Sequence, residues 1–82
     1  MATYNELTVG EQNEVLAKYH VNKVFDDASI KSMLANHLTW MMIDGALIDY
    51  PPDTVLKGTL EPTFLALEIG EQENLILEYV GK

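Results

Sequence analysis

Residues 67–79 read LEIGEQENLILEY, an altered echo of residues 7–19, LTVGEQNEVLAKY. Leu7/Leu67, Gly10/Gly70, Glu11/Glu71, Gln12/Gln72 and Tyr19/Tyr79 are identical. Val9/Ile69, Val15/Leu75 and Leu16/Ile76 are conservative. The fold class turns on the second copy. Read in twos, Leu65, Leu67 and Ile69 alternate with Ala66 and Glu68, and Leu75, Leu77 and Tyr79 with Ile76 and Glu78. That is strand periodicity, with Gly70–Asn74 as the turn of a hairpin. Read in steps of 3.6, the stripe is Leu75, Ile76, Tyr79 and Val80, which makes a helix.

Two differences between the copies favour the strand. Glu68 replaces the capping Thr8, and Leu77 replaces Ala17, the best helix former. Thr54–Leu60 then reads as a preceding edge strand, broken at Glu61-Pro62. The expectation is an α+β fold, two N-terminal helices packed on a small C-terminal antiparallel sheet. An all-α bundle is the alternative.

The first copy reads as a helix. Thr8-Val9-Gly10-Glu11 has capping-box spacing, and Val15, Leu16 and Tyr19 form a narrow apolar stripe that fades near His20–Asn22. Asp26-Asp27 opens the second helix, since Ala28–Asp44 holds neither glycine nor proline. At about 100° per residue, Ile30, Leu34, Leu38, Met41 and Ile48 share a side widened by Met33, Trp40 and Leu47. Met42 and Ile43 fall opposite. A helix apolar nearly all round is central to a fold or shared with a partner. Gly45 is a candidate C-terminal cap, and Pro51-Pro52 a stop.

The 82 residues suit one globular domain, and 48% of them are apolar. Without cysteine there is neither a disulfide nor a thiolate metal site. Thirteen carboxylates against five lysines and no arginine leave a net charge of −8. That charge repels nucleic-acid phosphate, so direct nucleic-acid binding is not expected. Met1–Glu6 lacks the basic start and apolar stretch of an export signal, and the uncharged run Ser32–Ile43 is too short to span a bilayer. A cytoplasmic location, away from membranes, is the expectation.

Catalytic patterns are sparse. Ser29 and Ser32 fall on a helix rather than on a sharp strand-to-helix turn, and no phosphate-binding glycine loop occurs. His20 and His37 lack paired-ligand spacing, so neither metal nor cofactor is expected. Asp49 and Asp53 flank Tyr50-Pro51-Pro52 in what reads as a solvated loop. On a continuous second helix, His37 and Asp44 would sit on one side about 10 Å apart, a candidate small-ligand pocket with Trp40.

The interface signal is stronger. Trp40, Met41 and Met42 would point three ways on a helix, and such residues are enriched where proteins meet. The expected function is therefore a small acidic, non-enzymatic protein-interaction module: a regulator, adaptor or inhibitor. It would act as a homodimer or complex subunit through Trp40, Met42, Ile43 and Tyr50. Alternatives are an acidic nucleic-acid mimic that occupies a basic DNA- or RNA-binding protein, and a small-ligand-binding domain.

Overall fold

The second copy of the echo is a helix. The computed structural model describes residues 2–36, 40–43, 46–49 and 56–82, with side chains at 2–33 and 56–82. A 3-10 turn at Tyr4–Glu6 leads into α1 (Val9–Val24) and α2 (Ala28–Asn36). The backbones of β1 (Trp40–Ile43) and β2 (Ala46–Asp49) pair antiparallel, with Trp40 opposite Asp49 and Ile43 opposite Ala46. A π-helical turn at Leu56–Leu60 runs into α3 (Glu61–Leu65), and α4 (Ile69–Val80) follows. Where side chains are described the molecule is a small all-helical globule. Its radius of gyration, 11.9 Å, is close to the roughly 11.7 Å of a compact chain this long.

The α+β expectation is thus overturned in the C-terminal third. Residues 56–60 of the expected edge strand are π-helical; 54 and 55 lie outside the described residues. The expected hairpin is α3 and α4. The decisive position is Leu77. A strand would bury Leu75, Leu77 and Tyr79 together, whereas Ile76 is fully buried and Leu77 is 49% exposed. Leu75, Tyr79 and Val80 are half-buried beside Ile76, so the 3.6-residue stripe prevails. Gly81 closes α4 in the left-handed region (φ 73°), a conformation that costs glycine nothing.

α1 forms as its sequence dictates. The Thr8 hydroxyl accepts from the Glu11 amide at 3.2 Å, and the Glu11 carboxylate accepts from the Thr8 amide at 3.0 Å. Two otherwise orphaned donors are satisfied reciprocally. The Asp27 carboxylate caps α2, accepting from the amides of Ser29 (2.8 Å) and Ile30 (3.1 Å). α2 is described as far as Asn36, and Trp40–Ile43 is extended, so the helix does not run on to the expected end at Asp44. Gly45 and Pro51-Pro52, the expected terminators, lie outside the described residues.

The two copies build the same local structure, and the likeness reaches further upstream. Thr3 and Tyr4 correspond to Thr63 and Phe64 at the same sixty-residue offset. Tyr4 and Phe64 pack with ring centroids 5.6 Å apart, and Tyr19 meets Phe64 edge-on at 5.5 Å. The helix-preceding residues have matching backbones, φ −66°, ψ 163° at Thr8 and φ −64°, ψ 150° at Glu68. Each glutamine then reaches back to the preceding turn. Gln12 Nε2 donates to the Tyr4 carbonyl at 3.0 Å; Gln72 Nε2 donates to those of Leu65 (3.2 Å) and Leu67 (2.8 Å). Leu16 and Ile76 are both fully buried and join Val15, Leu56, Leu60 and Phe64 in one core. Burial of each such large side chain contributes about 1.5–3 kcal/mol.

Candidate interaction surfaces

Among the described residues, three internal features could carry chemistry. The first is a half-buried polar cluster that no spacing in the sequence announces, because Tyr4 and Glu61 are 57 positions apart. The Tyr4 hydroxyl donates to Glu61 Oε2 at 2.5 Å and accepts from Lys57 Nζ at 3.1 Å. Lys57 Nζ also donates to Gln12 Oε1 at 2.6 Å and stands 3.5 Å from Glu61. The ammonium is 5.4 Å from the Tyr4 ring centroid but only 3.1 Å from its oxygen. It therefore lies beyond the hydroxyl rather than over the ring face, and the contact is a hydrogen bond. Burial, reinforced by the Glu61 hydrogen bond and charge, pushes the Tyr4 phenol far above its usual pKa. A neutral phenol held between a carboxylate and an ammonium is a clasp joining the N-terminal turn to residues 57–61.

The second is a set of lysine contacts around the helix ends. Lys18 Nζ donates to the Tyr79 carbonyl at 3.0 Å, satisfying an orphan acceptor in the last turn of α4, and stands 3.8 Å from Glu14. Lys82 Nζ pairs with Glu11 at 2.6 Å. That hydrogen bond, and then the Thr8 amide, hold the Glu11 carboxyl below the usual carboxylate range. Burial, with the nearby Glu78 charge, pushes the Tyr79 phenol up to about 12.

The third is a cleft of about 190 Å³ lined by Tyr19, His20, Lys23, Thr59, Leu60 and Thr63. It is below the roughly 300 Å³ at which ordinary ligand pockets begin. Among the described residues no group of three His, Cys, Asp or Glu side chains could hold a metal ion. No helix among them is long and apolar enough to cross a membrane.

The residues singled out from the sequence fall mostly beyond these side chains. His37, Asp44 and Tyr50 lie outside the described residues, and Trp40, Met42 and Ile43 are described by backbone alone. The helical spacing that grouped His37, Trp40 and Asp44 does not hold at Trp40, whose backbone is extended.

The described surface also presents several large apolar side chains. Ile30 (39% exposed) and Met33 (55%) are open on α2, although the sequence places them on its packed face. Val9 and Ile69, equivalent first residues of α1 and α4, are both exposed, as are Val24, Leu65 and Leu77. Scattered exposed side chains are ordinary; neighbours on one face are informative. No family model, no curated protein and no solved structure matches the chain.

Proposed function

We propose that this chain is a non-enzymatic protein-interaction module that self-associates through α2 and the stretch following it. The observation that carries the reading is the exposure of Ile30 and Met33. They are three residues apart on a nine-residue helix and so share a face. The stretch continues in sequence to Trp40, Met42, Ile43 and Tyr50, residue types favoured at interfaces. A small core without disulfides gains stability when a second copy covers such a face.

Internal pairing supports this reading over an acidic nucleic-acid mimic. Glu11, Glu14 and Glu61 are each engaged by a lysine of the same chain, which thins any phosphate-like array. The satisfied Tyr4–Lys57–Glu61 cluster likewise supports a structural role over a catalytic one.

Light scattering across a concentration series tests the proposal. The parent chain is expected at twice its 9.2 kDa mass, and Met33→Glu at the monomer mass. A parent that stays at 9.2 kDa at every concentration, or a Met33→Glu variant that stays dimeric, overturns it.

A further inference from the structure

Towards its C-terminal end α4 leaves open a position that is covered on α1, while at the N-terminal ends Val9 and Ile69 are both exposed. At the sixty-residue offset Ala17 corresponds to Leu77, and Val21 to Gly81. Ala17 is 4% exposed and Val21 fully buried, on a helix in contact with α2 and β1. α4 packs against α1 and the Tyr4–Glu6 turn, and Leu77 is left 49% exposed. The larger apolar side chain thus occupies the open copy and the smaller one the covered copy, opposite to what burial within the chain would select.

The neighbourhood of Leu77 specifies what would cover it. Ile69 (62% exposed), Glu73 and Leu77 follow one another at four-residue spacing, so they run along one side of α4 for about 12 Å. Leu65 is exposed just ahead of this strip. Glu73 lies within it, Glu68, Glu71 and Glu78 border it, and no basic residue occurs in Ile69–Val80. Two exposed apolar side chains two turns apart, with Glu73 between them and further carboxylates at the rim, complement a short amphipathic helix whose apolar residues are interleaved with lysine or arginine.

We propose that the Ile69–Leu77 flank of α4 docks a basic amphipathic helix of a partner protein, which covers Leu77 as the chain itself covers Ala17 on α1. The proposal shares the interaction-module reading but uses a surface apart from α2, so it stands or falls independently of self-association.

The test titrates isotope-labelled protein with a synthetic helical peptide carrying leucines at four-residue spacing among lysines. Amide shifts are followed by NMR. Two controls accompany it: a scrambled peptide of the same composition, and the same leucine pattern set among glutamates. The expected result is saturable shifts confined to residues 65–80, absent with the glutamate peptide and much weaker with the scrambled one. Leu77→Ser should weaken binding by about tenfold or more. Because Leu77 is half exposed, that substitution should lower the thermal midpoint by no more than about 8 °C and leave the protein folded at the temperature of the titration. Met33→Glu, which tests self-association, should not affect it.

Equal binding of the scrambled peptide would mean general attraction to an acidic protein and would overturn the proposal. So would shifts spread over the whole surface, or a Leu77→Ser variant that binds as the parent does. A dimer in light scattering that Leu77→Ser dissociates would assign the flank to a second copy, and would likewise overturn it.

Discussion

Gln72 offers the sharpest test of how the C-terminal half is held. Its side chain is buried, and its amide donates to two carbonyls of the turn between α3 and α4. Replacement by leucine keeps the bulk and removes both donors. Each amide–carbonyl bond contributes about 1 kcal/mol net, and a buried carbonyl left bare costs about 1–3 kcal/mol. Added apolar burial offsets part of this, so Gln72→Leu should destabilise by about 2 kcal/mol. An 82-residue domain has roughly 4–12 kcal/mol in all. The thermal midpoint should fall by about 8–16 °C.

Gln72→Glu separates donor chemistry from shape. Glutamate is nearly isosteric but, ionised, it only accepts, so it would set a buried carboxylate against two carbonyl oxygens. It should be worse than leucine at pH 7, and the gap should narrow as the pH falls and the carboxyl regains a proton to donate. Urea melts of the three proteins at pH 7 and pH 4 read both effects. If Gln72→Glu is as stable as Gln72→Leu at pH 7, or if both lie within about 0.5 kcal/mol of the parent, the donor argument is refuted.

Two further predictions concern the clasp and the caps. The folded-state Tyr4 pKa is raised above the usual 10.0, so the unfolded chain loses that proton first as pH rises, and stability should fall above pH 10. Tyr4→Phe should lose about 1–3 kcal/mol at pH 8 but show a shallower decline between pH 8 and 11, with the remainder belonging to Tyr79. Identical slopes in urea melts would contradict the assignment. Thr8→Ala should cost about 1 kcal/mol by removing the cap of α1. Glu68→Thr should gain up to about 1 kcal/mol by giving α4 the Thr-x-x-Glu box that α1 already has. A melt in which Glu68→Thr is destabilising would sink that comparison.

The helix starts were legible wherever a side chain makes the cap. Thr8 with Glu11, and Asp27 ahead of Ala28, announce α1 and α2 through bonds that span three residues or fewer. α4 was harder to read because Glu68 supplies backbone geometry without a side-chain cap, and because leucines two apart imitate a strand. The contrary signal was present in Gly81, placed one residue beyond the 3.6-residue stripe. Tertiary contact with α1 then decides, since Ile76 is buried and Leu77 is not. The early end of α2 carries no such mark, for Ala28–Asp44 contains no breaker. The Tyr4–Lys57–Glu61 clasp joins residues more than fifty positions apart, and no local pattern encodes it.

The core of Tyr4, Leu7, Val15, Leu16, Leu56, Leu60, Phe64 and Ile76 draws on the two ends of the chain. Folding is therefore the meeting of two hooks from opposite ends of the chain, each shaped locally by its own glutamine. The entropy of closing a flexible loop rises only as the logarithm of its length, about 0.6 kcal/mol for each doubling. The distance in sequence between the hooks is consequently a small part of the cost of bringing them together.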